Sequence, residues 1–138
     1  LRKRTEVMIG EATMSDRLEK LLRVMTNDCP GVEAAALVSI DGLIMASALN
    51  GGADEDKVAA MSAALLSVAE KIGRELERGE FEAAIVRGSE GLVVVTPVDS
   101  DAIMVILAGK KSKLGLILYE LKYVANMLKQ ELKGLHLL

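Results

Sequence analysis

The chain has 138 residues, 51% of them apolar, yet only one Phe, two Tyr and no Trp. Seventeen Lys plus Arg against 20 Asp plus Glu leave a net charge of −3, so the basic face and aromatic platforms of nucleic-acid readers are lacking. That length allows one core without staples, and a lone cysteine, Cys29, forms no internal bridge, which points to a reducing, cytoplasmic setting.

Arg2, Lys3 and Arg4 begin like a secretory leader, but the apolar stretch behind them, Val7 to Ile9, is too short for one. No other uncharged run is long enough for membrane insertion. Residues 1–13 carry no helical or strand period and are set apart as an N-terminal extension, leaving residues 14–138 as a single expected domain. Ser15 is the expected N-cap of a first helix, whose stripe is Leu18, Leu21, Leu22 and Met25 and which stops before Pro30-Gly31. Val32 to Ile40 and Leu43 to Leu49 read as two strands joined at Asp41-Gly42, a type I′ hairpin signal. After a loop at Asn50, Gly51 and Gly52, the acidic cluster Asp54, Glu55 and Asp56 caps a long helix. That helix is expected to run to Arg78, with Gly79 as its C-terminal stop.

Three strands follow, Phe81 to Arg87, Leu92 to Val98 and Ala102 to Ala108, as an antiparallel meander. Leu92 to Val95 and Ala102 to Ala108 are apolar at every position, so both faces of the sheet must be covered. Pro97 cannot donate to a ladder and belongs at a strand end or bulge beside the Asp99 loop. A last helix spans about Leu114 to Lys133. The fold class is α/β, an α+β sandwich in the order α-β-β-α-β-β-β-α.

Pro30-Gly31-Val32-Glu33, Ser39-Ile40-Asp41-Gly42-Leu43, the Ala- and Leu-rich helix from Lys57 to Arg78, Gly79-Glu80-Phe81, Gly91-Leu92, Thr96-Pro97-Val98 and Lys113-Leu114-Gly115 occur in this order. Together they resemble the Roadblock and dynein light chain family in its prokaryotic form, over about Ser15 to Lys133. The resemblance implies a profilin-like five-stranded antiparallel sheet of order 2-1-5-4-3, with the long helix on one face and the terminal helices on the other. It further implies a homodimer formed through the long helix and the strand after it, and association with Ras-like small GTPases as a regulator or adaptor.

On a helical wheel the long helix carries two apolar arcs. Val58, Met61, Leu65, Val68, Ile72 and Leu76 are expected to cover the sheet, and the small arc of Ala59, Ala63, Leu66 and Gly73 to admit a second copy of the helix. The adjoining strand, with Phe81, Ala83, Ile85 and Arg87, completes that expected dimer interface; Glu82 and Arg87 are alternatively charges that guard an edge. On the last helix, Leu116, Tyr119, Tyr123 and Met127 form a ridge opposite the core stripe, read either as a partner surface or as packing for the first helix or the extension. Lys110, Lys111 and Lys113 precede that helix without the glycine pattern of a phosphate loop.

No catalytic, metal or cofactor site is expected. His136 and Cys29 are the one histidine and the one thiol, without visible partners, and Asp41, Asp99 and Asp101 sit where turn chemistry explains them. The functional expectation is a non-enzymatic regulator that biases the nucleotide state of a small GTPase. An assembly scaffold with no effect on GTP turnover and a small-molecule sensor are the alternatives.

Overall fold

Thr13, not Ser15, starts the first helix. Its hydroxyl accepts from the Asp16 amide at 3.0 Å while the Asp16 carboxylate accepts from the Thr13 amide at 3.4 Å, a reciprocal capping box. The computed structural model describes residues 13–49 and 53–136. Its elements are α1 (Met14–Asp28), β1 (Val32–Ser39), β2 (Ile44–Leu49), α2 (Glu55–Glu75), β3 (Ala84–Gly88), β4 (Gly91–Pro97), β5 (Ala102–Gly109) and α3 (Leu114–His136). Apart from Thr13, the expected N-terminal extension lies outside the described residues, as does the loop expected at residues 50–52.

The strands form one antiparallel sheet in the order β2-β1-β5-β4-β3, as expected. β1 and β5 pair from Val32 opposite Ala108 to Ser39 opposite Ala102, and this central pair is buried on both faces. On one face Leu37, Met104 and Ile106 meet Leu22 and Met25 of α1 and Ile117 and Leu128 of α3. On the other, Ala36, Val38, Val95, Ile103 and Val105 meet Ala59 and Leu66 of α2. The two-sided apolar runs are thus explained by a three-layer sandwich. Pro97 ends β4, where no further ladder donor is required.

Two turns differ from expectation. A type I′ hairpin needs positive φ at both central residues, but Asp41 lacks it and only Gly42 has it, at +88°. The Gly42 amide instead closes on the Ser39 carbonyl at 2.9 Å and the Ser39 amide donates to the Leu43 carbonyl at 2.8 Å, making a longer loop with a left-handed glycine at its end.

α2 stops at Glu75, ahead of the expected Arg78, because Glu77 turns left-handed at φ +54°. The Arg78 amide then reaches the Gly73 carbonyl at 2.7 Å and the Glu77 amide the Arg74 carbonyl at 3.1 Å, the paired bonds of a Schellman cap. Gly79 also has positive φ, but two residues beyond the cap. No helix among the described residues is long and apolar enough to cross a membrane.

A left-handed glutamate is strained by its Cβ, and a glycine there is not. Glu77→Gly is expected to raise unfolding stability by about 0.5–1 kcal/mol, read from the denaturant midpoint. An unchanged or lowered midpoint would show that Glu77 is held by something other than the cap.

Candidate interaction surface

The apolar arc of α2 is wider than the part of the sheet beneath it. Its small side is turned inward: Ala59 and Leu66 are 1% and 5% exposed, and Ser62 is buried between them. The large side is turned outward, with Met61 62%, Val68 57%, Ile72 51% and Leu76 64% exposed. The two arcs have therefore exchanged their expected roles in part: Ala59 and Leu66 of the small arc meet the chain's own sheet, Met61, Val68, Ile72 and Leu76 of the large arc do not, and Val58 and Leu65 pack on the sheet core as expected. Small residues face the sheet because α2 lies close to a surface that is itself built of Ala34, Ala36 and the Gly42 turn. A Cβ added at Gly42 would stand 3.6 Å from the Ala63 Cβ and 3.7 Å from the Ala60 Cα. Ala63, half-buried, thus faces the hairpin turn.

Gly73, also half-buried, lies in a hollow of about 640 Å³ with Glu70, Arg74, Glu77, Glu80 and Phe81. Phe81 packs on the edge of the α2 core. The strand expected from Phe81 begins only at Ala84, so Ala83 is exposed in the segment leading into β3, and Ile85 and Arg87 are exposed along β3 itself, whose free edge has no strand beside it among the described residues.

Beside the outward stripe runs an apolar groove of about 330 Å³, walled by Val58, Met61 and Leu65 of α2 and floored by Val86, Val93 and Leu107 of the sheet. Val86 and Ile85 point to opposite faces of β3 and are 50% and 42% exposed, so this edge strand is apolar and open on both sides. Met61, Val68, Ile72 and Leu76, assigned to the sheet from sequence, are therefore exposed, and Val86, Val93 and Leu107, which the sequence does not single out, floor the groove beside them. The available signal was the Ala-rich run of β1, which accepts small residues opposite it better than bulky ones.

On α3, Leu116, Tyr119, Tyr123 and Met127 are exposed together, opposite the stripe that packs on the sheet and α1. At the start of that helix, Lys110, Lys111 and Lys113 surround a hollow shared with Pro30 to Glu33, and the Ser112 hydroxyl donates to the Gly109 carbonyl at 2.6 Å. Arg78 is held by its own Leu76 carbonyl at 3.0 Å, while Arg74 and Arg87 are exposed.

Chemistry is sparse. Among the described residues no group of His, Cys, Asp and Glu is placed to hold a metal ion, and every buried side-chain nitrogen or oxygen has a hydrogen-bond partner. Burial pushes the Cys29 thiol up from its ordinary value, and the Glu120 carboxylate pushes it further.

A five-stranded antiparallel sheet in this order, with one helix on one face and two on the other, defines the α/β class that profilin shares: Acanthamoeba castellanii profilin IB superposes with a TM-score of 0.59 at 15% identity, over 83% of this chain and 98% of that one. A Roadblock/LC7 domain from Streptomyces avermitilis reaches a TM-score of 0.78 at 22% identity over 83% and 97%. The protein MglB in a tetrameric arrangement reaches 0.81 at 16% over 88% and 91%. The Roadblock/LC7 domain profile itself matches residues 18–108. Protein MJ0310 of Methanocaldococcus jannaschii is 32% identical over 103 residues, 75% of this chain and 90% of the relative. The chain belongs to the Roadblock/LC7 domain family.

Two outcomes check the exchanged arcs. Ala59→Leu, which overpacks the α2 core, is expected to cost about 1–3 kcal/mol of stability, whereas Met61→Ser should change the stability of the isolated chain little. Thermal or denaturant unfolding compares them, and the reverse ranking would return the bulky arc to the sheet. For Cys29, the neutral thiol is the form favoured by folding. Its stabilisation therefore holds below the ordinary thiol pKa and is lost as the pH climbs through the raised one. Iodoacetamide should label Cys29 at neutral pH only after denaturant unfolds the chain, with prompt labelling of the native protein as the contrary result.

Proposed function

We propose that the chain is a homodimeric, non-enzymatic regulator or adaptor of a Ras-like small GTPase. The observation that carries this reading is the outward apolar stripe of α2, Met61, Val68, Ile72 and Leu76, running beside an apolar groove and the unpaired edge of β3. A two-fold copy of the same helix covers the stripe, while β3 edges align across the axis. Each of the four side chains is already about half covered, so completing its burial contributes on the order of 1 kcal/mol. This version of the interface keeps Phe81, Ala83, Ile85 and Arg87 from the sequence-based expectation, and replaces Ala59 and Leu66 with the outward stripe.

The GTPase part of the reading rests on family membership and on the prokaryotic relatives the sequence resembles. That a neighbour of the same fold is known in a tetrameric arrangement supports self-association. A dimer carrying two α2 helices side by side presents a composite platform that neither copy has alone. It acts on its partner by preferring one nucleotide state, which requires no catalytic group of its own.

Sedimentation at micromolar concentration is expected to give a dimer, and Met61→Glu with Ile72→Glu a folded monomer with an unchanged circular dichroism spectrum. A double variant that still sediments as a dimer refutes the α2 contact. For the partner, a Ras-like GTPase from the same cell is expected to bind the wild-type dimer in one of its GDP and GTP-analogue states and to change its rate of phosphate release. Binding without any change in that rate would leave an assembly adaptor in place of a regulator.

A further inference from the structure

The face of the sheet opposite α2 carries a second groove, of about 580 Å³, between α3 and the segment that leads into β3. Its floor is apolar: Leu121 and Val98 are buried there, and Leu118 and Ala125 are half-buried. The far wall, Phe81 to Ala83, is tied down by the Thr96 hydroxyl, which donates to the Glu82 carbonyl at 2.8 Å. That bond is part-buried, so the wall is a fixed feature and not a loose flap.

The near wall is basic. Lys122 and Lys129 line the groove, and Lys133 continues the row one turn further. At helical rise these three ammonium groups are spaced by about 10 Å and about 6 Å along one side of α3. All three are exposed, and none has an ion-pair partner among the described residues. The helix sends its carboxylates to the other side, where Glu131 bonds Arg17 of α1 at 3.2 Å and Glu120 acts on Cys29. Glu82 on the far wall is the one acidic side chain lining the groove.

We infer that this groove is a docking site for an acidic amphipathic helix of a partner protein, whose apolar stripe enters between α3 and the β3 lead-in and whose carboxylates meet Lys122, Lys129 and Lys133. The chemistry is that of helix-in-groove recognition, with anchors at helical spacing and the charges setting orientation and partner choice. A rod fits a channel with two walls, and a flat anionic membrane does not reach its floor. The floor and the lysine row are separate from the outward α2 stripe and do not depend on the GTPase, whereas the far wall shares Phe81 and Ala83 with the proposed dimer contact, so the peptide is titrated against the wild-type chain in the association state that sedimentation gives.

The test uses the full chain and a fluorescent synthetic helix of about five turns, with leucines along one side and glutamates along both flanks. Its counterpart carries lysines at the glutamate positions. Anisotropy is expected to show saturable binding of the glutamate peptide that weakens with salt, and little binding of the lysine peptide. Lys122→Glu with Lys129→Glu should weaken binding about tenfold or more, while Lys110→Glu with Lys111→Glu, in the separate basic loop, should not. Circular dichroism confirms that both double variants are folded. Equal binding of the two peptides, no binding of either, or indifference to the Lys122 and Lys129 changes would overturn the proposal. So would sedimentation with phosphatidylserine vesicles in the absence of any peptide binding, which identifies a membrane-facing surface instead.

Discussion

Everything in this molecule is arranged around the β1 and β5 pair. These strands pair from Val32 to Ser39, interrupted only by a register shift at Glu33, and are buried on both faces, so each must supply two different cores at once. One alternation, Leu37, Met104 and Ile106, belongs to α1 and α3; the other, Ala36, Val38, Ile103 and Val105, belongs to α2. A polar residue at almost any of these positions would be stranded without water, which is why the two segments show no polar alternation. The flanking strands are progressively less covered, and β3, at the far edge, is left open on both sides.

That gradient determines where apolar surface is left exposed. α2 covers Ala36 and Val38 of β1, Val95 of β4 and Ile103 and Val105 of β5, and leaves Val86, Val93 and Leu107 to floor a groove. On the opposite face, α3 leaves a second groove along the same flank of the sheet. Both surfaces open toward the edge at which strand pairing ends. Among the described residues the buried polar side chains are satisfied and the lone thiol is suppressed by burial, so the surfaces proposed for recognition are those the layers fail to cover.

Most of the architecture was legible in the residues. Apolar runs bounded by Asp41-Gly42, Gly88 to Gly91 and Asp99 to Asp101 mark the strands, and helical spacing of Leu18, Leu22 and Met25 or of Ile117, Leu121, Val124 and Leu128 marks the faces that are in fact buried. What periodicity does not reveal is which of two adjacent apolar arcs meets the sheet. On α2 that choice is made by the partner surface: Ala34, Ala36 and Gly42 draw the helix in, and close approach selects Ala59 and Ser62 over Met61. The end of α2 was misplaced for a similar reason. Glycine is the usual left-handed residue, but here Glu77 takes that conformation and Gly79 follows later. The exposed ridge of Leu116, Tyr119, Tyr123 and Met127 was visible as a pattern, while the lysine row beside it becomes meaningful only once the β3 lead-in is seen to form an opposing wall.

The placement of β5 beside β1 also governs the order in which the chain acquires its structure on the ribosome. α1, β1 and β2 are neighbours in sequence and in space, so they can associate as soon as they emerge. β1, however, waits for its second partner until a helix and two more strands have been made. Until then the second edge of β1 has no strand to pair with, and a pairing between strands so distant in sequence belongs to the class of contacts that topology makes slow to form. Ala34, Ala35 and Ala36 leave the backbone donors and acceptors of that edge open but give it less apolar area and a lower strand propensity than a run of Ile or Val would.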